Sequence, residues 1–431
     1  GVTTAFGGER WSGMVNANHR QGQETGNKGE VRSLDNTRAA PNPQQRDGRS
    51  VLSKLVYAPD ESQRFRLTVE GNEDTTDTDM YSAIDHTTTG MKAHDRQSRA
   101  RLSFAHEMDA LDAAFADSLR WQLYRQDSET TQVTDEARAN RSRRHRAFNF
   151  DQRVYGVQAQ FDKGLHTSTV EHVLTWGLDG AWTEIRQKRD GYQVLANGST
   201  STTILPDAFP VRDFPVSKTT ELGLYAQDEM RLAEGRLSLV PGVRVDHYRL
   251  SPEADAIFSE DNPGVALASL RKTRVSPKLG MVWRFDEQWS LFAGYAHGFR
   301  SPPYNDVNIG FTNVQFRYTA IANPDLKPET SDGVELGVRY AGKAAYASLS
   351  GYYNRYDDFI ESMRFIGYND DGLMVYQSQN ISEAQIHGVE FKAGLDIGAW
   401  SDAWDGWSLR GAAAWSRGED RSADTPLDSV D

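Results

Sequence analysis

The chain has no cysteine among its 431 residues. Disulfides and thiolate metal sites are therefore excluded together, and passage through an oxidising compartment would leave nothing to pair. Long apolar runs are missing too. No stretch approaches the roughly eighteen consecutive apolar residues of a membrane-spanning helix, so that mode of crossing is excluded. Positive charge is in deficit. Lys and Arg number 48 against 61 Asp and Glu, a formal net charge of −13, which leaves no basic face to neutralise the phosphates of a nucleic acid. Only residues 138–146 are locally basic, through Arg138, Arg141, Arg143, Arg144 and Arg146. They read as a solvated loop.

The signatures of catalysis are absent as well. No Gly-x-Ser-x-Gly elbow, Walker loop or dinucleotide fingerprint occurs. Asp357-Asp358 and Asp370-Asp371 are adjacent pairs, and neighbours on a strand face opposite sides, so neither would form a carboxylate dyad. His19, His86, His94, His106, His145 and His166 show no His-x-x-x-His spacing, and no metal site is expected.

What the chain does have is alternation. Leu237, Leu239, Val243, Val245 and His247 alternate with Arg236, Ser238, Arg244, Asp246 and Tyr248, one face apolar and the other mostly polar. The same split recurs at 172–183, where Leu174, Trp176, Leu178 and Trp182 oppose Thr175, Asp179 and Thr183. It appears again at 333–340 and after Lys343. Strands of this kind need an apolar residue only at every second position, so a mean hydropathy of −0.65 is compatible with a transmembrane β-barrel. Ten Trp, 17 Tyr and 18 Phe suffice for aromatic girdles at two interfaces.

Turn signals recur at 59–61, 108–110, 162–164, 233–235, 286–288, 341–343 and 401–406, at intervals of roughly 50 to 70 residues, as expected for an up-strand, a long loop and a down-strand. The long loops are placed at 21–48, 71–99, 126–148, 189–218, 250–272, 299–332 and 363–381. Soluble solenoid repeats are shorter, about 20 to 45 residues, and self-similar, which these intervals are not. The expectation is an all-β chain, an antiparallel transmembrane barrel of about 15 or 16 strands with long loops at one end and short turns at the other.

Two short motifs carry more. Gly298-Phe299-Arg300-Ser301-Pro302-Pro303 ends one alternating strand, and Asn323-Pro324-Asp325-Leu326-Lys327-Pro328-Glu329 precedes the next. Prolines cannot donate to a ladder and push the residue before them out of helical geometry, so both motifs terminate strands and bracket one loop. Parity puts Arg300 on the inner face, and Tyr295 and His297 on the outer one.

The pair resembles the Phe-Arg-x-Pro and Asn-Pro-x-Leu boxes of TonB-dependent outer-membrane receptors, haem and haemoglobin receptors in particular. Glu335-x-Gly337, Tyr225–Glu229, Pro241–Asp246, Ser276–Gly280 and Pro426–Asp431 add to the similarity, which covers residues 220–431 by motif and the earlier half by pattern. The resemblance implies a Gram-negative outer-membrane transport receptor and no enzyme, with external loops that take up haem, or haem from haemoglobin or another haemoprotein, and energy supplied by the TonB complex. It implies a substrate-binding mouth shaped by Phe299, Arg300, Pro302, Tyr304, Tyr318, Asn323, Pro324 and Leu326. Arg300 would meet a substrate carboxylate.

Haem or a ferric siderophore would be cargo, with no permanently bound cofactor. Haem receptors of this kind usually carry a histidine between the boxes, whereas here none lies between Pro303 and Asn323. His297 is nearest, and Tyr304 or Tyr318 could offer a phenolate, a known type of axial ligand. A ferric-siderophore receptor is the alternative within transport; an outer-membrane barrel adhesin or enzyme is the alternative outside it. Such receptors usually have 22 strands and a plug, so residues 1–431 are expected to be a partial barrel domain lacking the plug and the C-terminal strands.

Overall fold

The computed structural model describes residues 1–313, 316–400, 402–421 and 425–427. Residue 401 of the last expected turn and residues 428–431 of the closing segment lie outside the described residues. A 20-stranded sheet runs through the molecule, and four of its strands (Thr200–Ser201, Gly310–Asn313, Tyr318–Ile321 and Thr425–Pro426) are short pieces off the main wall. The remaining 16 form the wall. The first eight are β1 (Val2–Gly7), β2 (Trp11–Gln23), β3 (Gln44–Asp60), β4 (Gln63–Asp79), β5 (Thr88–Met108), β6 (Ser118–Arg138), β7 (Arg143–His166) and β8 (Glu171–Val194). The second eight are β9 (Val216–Leu232), β10 (Leu237–Glu253), β11 (Leu270–Arg284), β12 (Trp289–Arg300), β13 (Glu329–Ala341), β14 (Ala345–Tyr368), β15 (Met374–Asp396) and β16 (Ser408–Asp420).

Each wall strand pairs antiparallel with its neighbours in sequence, from β1–β2 to β15–β16. This is an up-and-down meander. Among the described residues, β1 pairs only with β2, and the far side of β16 meets only Thr425–Pro426. No described helix is long and apolar enough to cross a membrane.

The expected alternation is realised as continuous rows of side chains. Leu67 faces Phe104, Phe104 faces Leu123 and Leu123 faces Val157. Further on, Leu178 faces Leu224, Leu224 faces Val245 and Val245 faces Val275. These side chains stand on the outer face, Leu224 at 61% exposure, as does Leu336 of β13 at 58%. Exposure of that size on aligned leucines marks a surface that meets hydrocarbon. Aromatic stacks border it, such as Trp11 on Tyr57 with ring centroids 4.4 Å apart and Phe161 on Trp176 at 5.8 Å.

Three expected loops are corrected. Strands β4 and β5 run to Asp79 and from Thr88, β6 and β7 to Arg138 and from Arg143, and β14 and β15 to Tyr368 and from Met374. Connections of only a few residues replace the loops expected at 71–99, 126–148 and 363–381. The reason is length: β7, β8 and β14 have 24 residues each, roughly 80 Å of chain, whereas about 9–11 tilted residues cross a bilayer. Beyond the bilayer both faces are wet, apolar alternation ceases, and strand sequence reads as loop.

Two expected turns also shift. Strand β7 continues through Asp162-Lys163-Gly164 to His166, and the chain reverses at 167–170, where the Thr167 N–H donates to the Val170 carbonyl at 2.9 Å. After Met108 the connection runs to Asp117 rather than closing at once. The 233–235 turn stands as expected. Ala233, Glu234 and Gly235 all have positive φ, of 53°, 58° and 83°, the left-handed geometry of tight hairpin turns that only glycine adopts without cost.

Candidate functional site

The 299–332 region is a true long connection. Chain leaves β12 at Arg300 through Pro302 and Pro303, forms the short helix Tyr304–Asn308, then the hairpin Gly310–Asn313 with Tyr318–Ile321, and re-enters the wall at Glu329. It folds back onto the inner side of the wall. Val307 and Leu326, 1% and 2% exposed, enter a cluster with Tyr248 and Leu250 of β10, Leu270 of β11 and Ile360 of β14. Tyr304 and Phe299 pack on the same cluster. Phe299 thus departs from parity: its odd number alone would place it outside with His297.

Polar contacts complete the seating. The Asn323 side-chain amide donates to the Ser378 carbonyl at 2.9 Å, and the Asn323 N–H donates to the Asp306 carbonyl at 3.0 Å. Asn380 accepts from the Lys327 N–H at 2.8 Å and donates to the Lys327 carbonyl at 3.0 Å. Glu329 is 8% exposed. One of its carboxylate oxygens accepts from the Ile360 N–H at 3.0 Å and the other meets Arg300 Nε at 3.2 Å.

A second connection, between β8 and β9, lies against the first. Ile204, Phe209 and Val211 form its apolar centre. Arg189 joins Asp207 at 2.7 Å and Asp213 at 2.8 Å, while Arg212 reaches Asp255 at 2.7 Å. The Gly310 N–H donates to the Asp213 carbonyl at 2.7 Å, tying the two connections together. Burial pushes the Asp213 carboxyl above its ordinary value, against the pull of Arg189.

The sequence-derived residues divide into three groups. Arg300 lines an inner cavity of about 600 Å³ with Asp179, Glu221, Arg244 and Asp246, and Phe299, Pro302 and Tyr304 border it. Pro302 is almost completely buried. Leu326 and Asn323 serve as anchors for the connection, and Pro324 is exposed between them. Tyr318 stands edge-on to Tyr376, with centroids 5.9 Å apart, away from the Arg300 cavity.

The two candidate iron ligands near the first box fare differently. Burial pushes the Tyr304 hydroxyl up to about 12, helped by Asp306, so the phenolate expected as a possible ligand is strongly disfavoured. His297 sits on the outer wall, its Nδ1 3.1 Å from Asp332, which also accepts the Tyr295 hydroxyl at 2.7 Å. It is not brought to the inner cavity. Among the described residues, no group of three or more metal-capable side chains exists.

Several residues of this arrangement escaped the sequence reading. Val307, Ile360, Ser378 and Asn380 come from segments far apart in the chain, and no local pattern marks them. Asp306 is 6% exposed, with Asn305 donating at 3.0 Å and Ser362 at 3.4 Å. Burial raises its carboxyl as well. Glu329 did leave a signal, since it closes the second box.

Residues 18–431 match the family described as TonB dependent receptor-like, beta-barrel. The chain is 25% identical over 396 residues to the Hemoglobin-haptoglobin utilization protein B of Neisseria meningitidis, covering 82% of this chain and 47% of that protein. It is 29% identical over 234 residues to the Iron-regulated outer membrane virulence protein of Vibrio cholerae, covering 53% of this chain and 30% of the relative. The chain thus spans about half or less of these relatives' length. Among solved structures, the Copper transporter OprC superposes with a TM-score of 0.69 at 18% identity, covering 99% of this chain and 60% of that one. At that identity the likeness concerns the fold.

Proposed function

The chain belongs to the TonB-dependent receptor β-barrel family, and we propose that its protein imports an iron compound across the outer membrane, taken up as haem or as haem from a haemoprotein. The family consists of transporters rather than enzymes, and its barrels lie in the Gram-negative outer membrane. The observation that carries the reading is the alignment along 82% of the chain with a protein named for haemoglobin–haptoglobin use. In this reading the inner mouth receives the substrate. Arg300 offers its terminal nitrogens to a carboxylate such as a haem propionate, because its ion pair with Glu329 engages Nε. Phe299, Pro302 and Tyr304 border the same cavity, and Leu326 and Asn323 fix the loop that carries them. TonB supplies the energy through a plug.

Both ends of the wall carry unpaired edges among the described residues, which hydrocarbon does not tolerate. The proposal therefore includes further wall strands from sequence outside 1–431, and it takes the plug from the family resemblance. No covalent chemistry is involved.

A second reading, a ferric-siderophore receptor, has its own support. Residues 304–322 contain no histidine, and Tyr304 is packed on the apolar cluster of the mouth. A siderophore brings its own iron ligands and needs none from the protein. Titration of the full-length receptor with haem and haemoglobin, followed by Soret absorbance, separates the two. A saturable Soret change supports haem uptake; no change with either, together with tight binding of a ferric siderophore, overturns it.

A further inference from the structure

On the outer face, Arg249 of β10 and Arg271 of β11 stand directly opposite each other. Both are exposed, while Tyr248 and Leu250, their neighbours on the inner face, are buried. Like charges directly opposite destabilise a sheet. Nothing offsets this pair: among the described residues neither arginine has an ion-pair partner, and Arg249 donates only to Ser251, at 3.1 Å. The neighbouring outward cations differ. Arg125 and Arg153 share Asp127, Arg186 has Glu184, and Lys218 has Glu253. The opposed arginines are the exception in a region where cations are otherwise matched.

Their height is equally informative. The row Tyr155–Trp182–Thr220–Arg249–Arg271 is continuous across five strands, with Tyr155 and Trp182 both exposed outward. Two rows nearer the middle of the wall, Leu178, Leu224, Val245 and Val275 form the apolar belt. Aromatic residues at that step mark the headgroup level of a membrane. Above Lys278, moreover, no strand pairs with the far side of β11 among the described residues, so the Arg271 side of the pair adjoins an opening in the wall.

We propose that Arg249 and Arg271 together bind a phosphate of a phosphorylated glycolipid in the outer leaflet. A phosphate group accepts charge-assisted hydrogen bonds from two guanidinium forks at once and removes their repulsion. The apolar rows beneath receive the acyl chains. The site faces away from the inner cavity, so it is independent of the identity of the cargo.

The test uses the full-length receptor purified in mild detergent, with bound glycolipid counted by native mass spectrometry. The R249Q/R271Q variant is expected to retain at least about tenfold less phosphorylated glycolipid than wild type, because both charge-assisted contacts are lost. R249K/R271K should recover part of the binding, and K218Q should leave it unchanged. Dephosphorylated glycolipid should not be retained by wild type, and inorganic phosphate at the same concentration should not displace the bound lipid. If R249Q/R271Q fails to give a folded barrel on heat-modifiable electrophoresis, R271Q alone carries the comparison. Equal retention by wild type and the glutamine variant, or equal retention of the dephosphorylated lipid, overturns the proposal.

Discussion

The wall and the mouth of this barrel keep apolar side chains in opposite places. On the wall, Leu224 and Leu336 are more than half exposed and depend on lipid to cover them; at the mouth, Leu326 is 2% exposed and depends on protein alone. The wall is built by repetition. Each strand contributes the same two-residue period, and errors at one position are diluted over many. The mouth is built once, from five separated stretches around residues 250, 270, 307, 326 and 360, and each contributes one or two side chains that nothing else replaces. Sensitivity to mutation should follow that division.

The largest effect is expected where the mouth has no redundancy. Leu326→Ala should cost about 2–5 kcal/mol of local stability, the usual range for a fully buried leucine. Amide hydrogen exchange should report it as lost protection across 301–328 while β2 to β8 stay unchanged. On the wall, Leu336→Arg should cost about 2–4 kcal/mol if its row lies near the bilayer midplane, less toward either interface. That loss should appear in unfolding of the whole barrel in lipid and leave the mouth's relative protection unaltered. If the two substitutions gave the same pattern of exchange, the separation between wall and mouth would fail.

Smaller perturbations sharpen the contrast. Glu329→Ala should cost about 1–3 kcal/mol, mainly by stranding the Ile360 N–H. The ion pair to Arg300 adds little, since Arg300 is 56% exposed. Proteolysis at the 301–328 loop would read this change. The smallest effect concerns Asp306, whose carboxyl is raised by burial. A carboxyl with a higher pKa folded than unfolded stabilises at low pH and loses that contribution as pH rises from the ordinary value of 3.8 through the raised one. Protection of the loop should therefore increase on acidification through that window, and Asp306→Asn should flatten the dependence. An unchanged pH profile in the variant would remove Asp306 from the account.

The same division explains what could be read from the sequence. The number of wall strands, the faces of those at 172–183, 236–248, 289–300, 333–340 and after Lys343, and the bracketing of one loop by the two boxes follow from turn spacing, a period of two and proline chemistry, all local. Legibility fails first at the upper ends of β4 to β7 and β14 to β15. There Thr75, Thr76, Thr130 and Thr131 stand on strands in water with no apolar face to reveal them. It fails again inside the mouth. The Asn323 link to Ser378 and the Lys327 links to Asn380 cross more than fifty positions of sequence, and the Ser378 and Asn380 ends carry no pattern. Phe299 shows both limits at once, since parity places it outside and packing against the cluster that holds Leu326 brings it in.

That residue also offers the most direct test. The chain has no native cysteine, so single cysteines can be placed without competition and labelled with a fluorophore in bilayers carrying either lipid-attached or water-soluble quenchers. Labels at Val334→Cys and Leu336→Cys should respond to the lipid quencher, and those at Gly333→Cys and Glu335→Cys to the aqueous one. His297→Cys should behave as an outer-wall position. Phe299→Cys, two residues on, should resist the lipid quencher and react slowly with aqueous reagents, because it is packed at the inner mouth. Matching behaviour at 297 and 299, both open to the outer side, would contradict the seating of the loop by the two boxes.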